Sequence, residues 1–426
     1  MNTNSKISNK NSSNNSQENS TLPSPNNVTD PPQKNILGVN KNIFFTGLVS
    51  FLTDTSTKMV YSIMPLFLMS IGASKTTLSL IEGVAESTAA LVKTASGFCS
   101  DKLGKNKPFM AIGYAITAIV TPIYSIVTAP LQVLGLRFIE RVGKGIRTAP
   151  RDSLVAGSAT KSNIGRSFGL HKAMDNTGAI IGPLLAFTIL WLIPGGFRTV
   201  FLIAAIPATL GVITILLLIK EAKKNKDSLY KRFRFRDFPK RYYLLLGIIF
   251  VFTLGNSTDA LLIVKANEIG IKIAYIPLVY LIFNAVSVAL AVPFGTRSDK
   301  IGRERILVFG YLLYAIVYFG FGYTHSIKAI LILFAMYGVY SAATDGIQKA
   351  FVADMLDANK RGTGMGIYNA MLGLTLLPAS LIAGILYDRI DSSVPFYFGS
   401  ITAITSAFLM IIFLKSHNKS QKVNQQ

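Results

Sequence analysis

The 426-residue sequence is half apolar, has a mean hydropathy of +0.43 and carries only 15% charged residues, against about 25% in a soluble globular domain, which excludes a water-soluble fold. Its formal charge of +22 sits between long apolar runs instead of forming a stripe on a soluble domain, which argues against nucleic-acid binding. One cysteine, Cys99, excludes an internal disulfide.

In chain order, residues 1–40 are rich in Asn, Ser, Lys and Pro, which predicts a disordered tail and not a cleavable signal. Twelve stretches long enough to cross about 30 Å of hydrocarbon as helices follow, near 43–70, 77–99, 107–128, 130–146, 167–193, 198–219, 243–264, 273–296, 304–323, 327–346, 363–387 and 394–415. Six lie on each side of a polar break, so the fold class is an all-α membrane protein. The predicted organisation is a six-helix bundle over 41–219, a basic linker over 220–241, a second six-helix bundle over 242–415 and a tail over 416–426. Within the linker, Arg232 to Phe238 alternates basic and aromatic residues, which suits an interfacial segment or a solvated loop.

Lys and Arg gather in alternate loops: 101–107, 141–166, 220–241, 297–305, 360–361 and the tail after 415. The intervening loops, near 71–76, 193–197, 266–272 and 388–393, are short or of mixed charge. This positive-inside pattern predicts a multi-pass protein of a prokaryotic cytoplasmic membrane with both termini in the cytoplasm. The basic excess would also meet anionic membrane lipid.

One short motif occurs twice. Gly97, Asp101, Lys102, Gly104 and Lys105 recur, at the same spacing, as Gly295, Asp299, Lys300, Gly302 and Arg303. The correspondence extends further, from Val155-Ala156, Gly165, Gly169 and Ala173-Met174 to Val352-Ala353, Gly362, Gly366 and Ala370-Met371. A duplicated segment between apolar runs marks two related membrane-embedded halves. Gly104 and Gly302 permit a tight turn. Asp101 can cap a neighbouring helix or pair with an Arg, whereas the basic residues Lys102, Lys105, Lys107, Arg303 and Arg305 serve equally well as topology anchors.

The doubled pattern resembles the major facilitator superfamily over residues 40–415. That resemblance implies pseudo-symmetric six-helix bundles that rock about a central cavity, acting as a monomer, with Asp101 and Asp299 in contacts that latch one side shut. Gly169, Gly178, Gly182 and Pro183 are similar to the helix 5 pattern of exporters that exchange substrate for protons, although Ala186-Phe187 replaces the Gly-Gly pair that closes it. Small residues at that spacing let helices approach closely, and Pro183 bends its helix. Arg137 followed by Glu140 resembles the helix 4 motif of proton-coupled members, in which a buried Arg tunes a proton-carrying acid; Arg141 stands where that motif prefers Gly.

Ionisable residues inside spans are the best functional pointers, each costing about 2.5–3.5 kcal/mol at the membrane centre. Asp54 and Lys58 lie one turn apart and can pair. Glu82 and Glu86 share a face, and two carboxylates so close cannot both ionise cheaply, which makes them a proton-exchanging candidate. His171 and Asp175 form a similar pair, and the second half offers Asp259 and Asp345. Proton coupling is therefore expected in the first half, with substrate contacts shared. Phe51, Tyr61, Phe252 and Tyr280 either line a cavity or pack against neighbours. The acids suit a cationic small-molecule substrate; Arg137 and Arg141 suit an anion.

The three histidines are scattered at 171, 325 and 417, no Cys/His cluster suits a metal, and no nucleophile elbow occurs. No enzyme activity and no cofactor are expected. The reading is a secondary active transporter, most simply a proton-coupled exporter of a small organic molecule. A proton-coupled importer of a nutrient or siderophore is the alternative, and a non-transporting receptor or scaffold a more distant one.

Overall fold

The computed structural model describes residues 35–36, 39–159, 164–221, 238–256, 258–357 and 360–423. The expected tail up to residue 34 and linker residues 222–237, with most of the basic-aromatic alternation, lie outside these. A two-residue antiparallel pair, Asn35–Ile36 with Val39–Asn40, leads into the first helix. Asn40 caps that helix by accepting the Asn42 N–H at 2.8 Å.

The described residues form α1 (Lys41–Ser70), α2 (Lys75–Leu103), α3 (Lys107–Ile123), α4 (Pro130–Ser158), α5 (Ile164–Leu192), α6 (Phe197–Leu218), α7 (Lys240–Gly255) and α8 (Asp259–Glu268). They continue with α9 (Ile276–Ile301), α10 (Arg303–Tyr323), α11 (Ile327–Asp354), α12 (Arg361–Arg389) and α13 (Val394–Val423). The short α7 and α8 are one span broken around Asn256, so the helices make twelve rods at the positions the apolar runs predict. Thr258 restarts the broken span by accepting the Ala260 N–H at 3.2 Å.

Among the described residues, nine rods are apolar enough to cross a membrane by length and composition. The other three, α1, α2 and α4, have the length, at 30, 29 and 29 residues, but carry too many polar and charged groups. These are the spans in which the sequence placed Asp54, Lys58, Glu82, Glu86 and Arg137, and α2 and α4 bury their charges against each other. One correction concerns α4, which was expected to end near residue 146 and instead continues to Ser158. The basic residues from Arg141 to Arg151 therefore stand on a helix, not in a loop.

Within the first half α1 packs on α5 and α6, α2 on α4, and α3 on α4 and α6. Within the second, α9 packs on α11, α10 on α11 and α13, and α7 on α12 and α13. The halves meet along α2 with α12 and α5 with α9. The second half is knit by aromatic stacking, Phe252 on Tyr311 at 4.1 Å and Tyr314 on Tyr318 at 4.0 Å, each such pair worth about 0.5–1.5 kcal/mol beyond area burial. Phe252 is thus a packing residue. On α6, Leu202, Ile206, Leu210, Ile213 and Leu217 are exposed at helical spacing, the stripe that hydrocarbon chains would cover.

Close approach of α5 to α1 depends on two glycines. A Cβ on Gly178 would lie 2.5 Å from the Phe51 carbonyl oxygen, and one on Gly182 2.5 Å from that of Thr55, whereas Gly169 has open space around it. Gly178→Ala is expected to cost about 1–3 kcal/mol by overpacking, while Gly169→Ala should be neutral or gain up to about 1 kcal/mol of helix propensity. Thermal unfolding followed through the single Trp191 separates the two; equal melting would contradict this account of the α1–α5 contact.

Candidate functional site

One end of the bundle is fastened across the halves. The Asp388 carboxylate, at the end of α12, accepts the backbone N–H groups of Thr76 at 2.7 Å and Lys75 at 3.3 Å. It caps the exposed amide groups and positive dipole end of α2 from the opposite half. The Thr76 hydroxyl donates to the Gly384 carbonyl at 3.1 Å. Lys75 pairs with Glu268 at 3.4 Å and lies over the Tyr387 ring, whose hydroxyl also donates to Glu268. A deeper side-chain hydrogen bond also crosses between the halves, from Lys58 Nζ to the Tyr280 hydroxyl at 3.0 Å.

Below that crossing lies a cavity of about 690 Å³, lined by both halves and within the usual size range of small-molecule sites. It extends from Tyr61 and Glu82 towards the basic end, where Arg151, Lys172 and Lys349 reach it. Seven lining residues are Lys or Arg and six are Asp or Glu.

At its inner end the charge is tightly compensated. Arg137, with no exposed surface, donates from Nη2 to both Glu82 oxygens at 2.6 and 2.7 Å, and from Nη1 to Glu140 at 3.1 Å. Glu140 also accepts the Tyr124 hydroxyl at 2.9 Å. The forked guanidinium suits this two-carboxylate arrangement in a way a lysine would not. Arg141 pairs with Glu86 at 3.2 Å. Glu82 and Glu86, expected to burden each other as neighbouring acids, are instead each satisfied by an Arg of α4.

The close carboxylate pair lies elsewhere. Asp54 of α1 and Asp175 of α5 are neighbours in the cavity wall, Asp54 packing on α5 at Gly178, one turn beyond Asp175. Two carboxyl groups placed so close cannot both carry a charge cheaply. Asp175 also pairs with Lys172 at 2.8 Å and with Arg151 at 4.0 Å. The expected Asp54–Lys58 pairing is not made, because Lys58 reaches across to Tyr280 and lies over its ring. The expected His171–Asp175 pairing is not made either: His171 Nε2 is 2.9 Å from the Ser50 hydroxyl. In the second half, Asp259 accepts the Tyr337 hydroxyl and Asp345 the Ser341 hydroxyl, both at 2.7 Å.

Sequence reading missed Lys144, Arg147, Arg151, Lys172 and Lys349 as lining residues. The α4 signal was present: positions 137, 141, 144, 148 and 151 recur at three- and four-residue steps, one face of a helix. Assigning these cations to a loop hid it. The duplicated loops turn at Gly104 (φ +65°) and Gly302 (φ +99°), conformations that favour glycine. Gly97 approaches Ala149 of α4, whereas Gly295 has open space. Lys102, Lys105 and Lys300 are exposed. Arg303 bridges Asp299 at 3.3 Å and Asp354 at 3.1 Å, tying three helix ends within one half; the Asp101 side chain lies outside the described residues.

This architecture can be set beside known proteins. A family model described as Major Facilitator Superfamily matches residues 46–258 and 244–426. The "Uncharacterized MFS-type transporter MJ1317" of Methanocaldococcus jannaschii is 35% identical over 379 residues, 88% of this chain and 95% of that protein. The multidrug resistance protein MdtH of Proteus mirabilis is 27% identical over 292 residues, 65% of this chain and 69% of that one. Among solved structures, a POT family transporter in complex with a thioalcohol conjugated peptide superposes with a TM-score of 0.78 at 14% identity, covering 90% of this chain and 98% of that one. Helical architecture, a doubled loop motif and family matches over nearly the whole length agree: the chain belongs to the major facilitator superfamily, a family of multi-pass membrane transporters and not of enzymes.

Proposed function

We propose that the chain is a proton-coupled secondary transporter that works by alternating access and exports a small organic molecule. The observation that carries this is the Asp54–Asp175 contact in the wall of the central cavity. A proton taken up by either carboxyl relieves their mutual repulsion, and its departure leaves two negative charges that repel or recruit the neighbouring cations. Arg151, Lys172 and Lys58 are close enough to answer that change. Proton occupancy and the packing of α1 on α5 are thereby linked, which is what a coupled machine needs.

The positive-inside pattern supports a cytoplasmic basic end, with both termini on that side of a prokaryotic inner membrane. The two six-helix halves, 41–219 and 242–415, then rock as units of a monomer about the cavity, opening towards the cytoplasm while the Asp388 clasp is made. Export is favoured by the Gly178 and Gly182 contacts of the helix 5 pattern, and by the multidrug resistance names of relatives at 25–27% identity. Import is the second reading. It is favoured by Ala186-Phe187 in place of the pattern's Gly-Gly end, with Phe187 packed 5.8 Å from the Tyr275 ring of the other half.

In everted vesicles with an acid interior, a panel of aromatic acids and lipophilic cations should yield a compound whose uptake discharges the proton gradient. Asp54→Asn and Asp175→Asn are each expected to lower gradient-driven uptake about tenfold, the equivalent of about 1.4 kcal/mol of coupling, while substrate counterflow without a gradient persists. Coupling that survives in both variants would remove the pair from the mechanism, and accumulation confined to right-side-out vesicles would reverse the direction.

The clasp gives a separate test. Losing a helix cap costs about 1 kcal/mol, so Asp388→Ala should raise the population open at that end about fivefold. Distances between spin labels on Ile71→Cys and Arg389→Cys, in a Cys99→Ser background, should lengthen accordingly. An unchanged distribution would mean that the carboxylate does not hold that end shut.

A further inference from the structure

We propose that the cavity recognises an organic anion, a carboxylate or phosphate carried on an aromatic or apolar body, with its charged end against α4. The inference rests on reading the cavity as a transport site and names what that site takes.

The cations of α4 outnumber the acids available to them. Arg141 is 2% exposed; its Nη2 pairs with Glu86, but its buried Nε–H has no hydrogen-bond partner. A buried donor left unpaired costs about 1–3 kcal/mol, so the site is incomplete as it stands. One turn on, Lys144 has Glu86 as its strongest charged neighbour, yet that carboxylate is already held by Arg141. Among the described residues no carboxylate lies within 4 Å of Lys144, Arg147 or Lys349, all of which line the cavity. Glu82 is no counter-ion for them, because Arg137 holds both its oxygens. Asp175 is already engaged by Lys172 and Arg151.

The opposite wall differs in kind. Tyr280, Phe283 and Tyr337 form a run of rings spaced 5.6 and 5.0 Å apart, and the acids on that side, Asp259 and Asp345, are held by hydroxyl donors. The basic stretch of α4 thus faces rings and two hydroxyl-held acids, with Lys349 of α11 the one lining cation from the second half. An anionic head is attracted to the first and its ring or alkyl body packs on the second. A lipophilic cation would meet the reverse arrangement, with its charge repelled by Lys144 and Arg147 of α4.

The test uses the purified full-length chain in detergent, with thermal unfolding read from Trp191. Phenyl phosphate and benzoate are the anionic probes, benzyltrimethylammonium the cationic one, and sodium sulfate controls for ionic strength. Phenyl phosphate or benzoate should raise the unfolding temperature of the wild type, and benzyltrimethylammonium and sulfate should not. Lys144→Gln should weaken the apparent affinity about tenfold, an ion contact worth about 1.4 kcal/mol, and Lys144→Arg should restore it. Lys144 is chosen because Arg147 also packs over Tyr114 at 4.5 Å, so that its loss would disturb folding.

Stabilisation by benzyltrimethylammonium alone, or by sulfate as strongly as by the aromatic anions, would overturn the inference, as would anion binding unchanged in Lys144→Gln. The two readings fail separately. Anion binding without any gradient-driven movement would sink the transport reading, whereas gradient-driven uptake of a lipophilic cation without anion binding would sink only the assignment of charge.

Discussion

The structure depends on one constraint: a charge taken out of water inside a hydrocarbon slab must find its partner within the protein. Arg137 shows the solution at its most complete, with one guanidinium shared between Glu82 of α2 and Glu140 of its own helix. Removing either side of such a buried pair costs about 3–5 kcal/mol, because the other is left stranded. The contact therefore fixes how α2 stands on α4. The rods least able to face lipid, α1, α2 and α4, are driven to the interior by the same rule and become the walls of the cavity. Their poor hydropathy and their role have one cause.

Much of this was legible in the sequence because it is written at short range. Helix number follows from the lengths of apolar runs, and the turns at Gly104 and Gly302 follow from residues that tolerate positive φ. The close α1–α5 approach follows from Gly178 and Gly182. Pairings across helices were not legible. Asp54, Glu82 and His171 each have an obvious partner one turn away, and each prefers a group on another helix: Asp175, Arg137 and Ser50 respectively. Helical spacing says which residues share a face; it does not say what that face meets. The extent of α4 was misjudged for a related reason. Arginines close to a span's end look like topology signals until the helix is seen to carry them into a wetted interior, where they no longer need a lipid headgroup.

The two halves are alike in plan and unlike in substance. The duplicated loops bring Arg303 to Asp299 and Asp354 at one end of the second half, yet the ionisable network belongs almost wholly to the first. The second half contributes rings and hydroxyls, stacked tightly enough to act as a stiff counter-face. Such a division sets the charged network of one half against a closely stacked aromatic face of the other along the boundary between them.

The break between α7 and α8 adds a mechanical consequence. The Gly255 carbonyl, freed at the break, is taken by the Tyr314 hydroxyl at 3.0 Å, so the interruption is pinned. Beyond it α8 is a stiff strut of 10 residues, about 15 Å long. Asp259 stands at one tip in the cavity wall, and Glu268 at the other holds Lys75 and Tyr387. One rigid element thus joins the cavity wall to the fastened end, so that the positions of Asp259 and Glu268 are fixed relative to each other without any relay of side chains between.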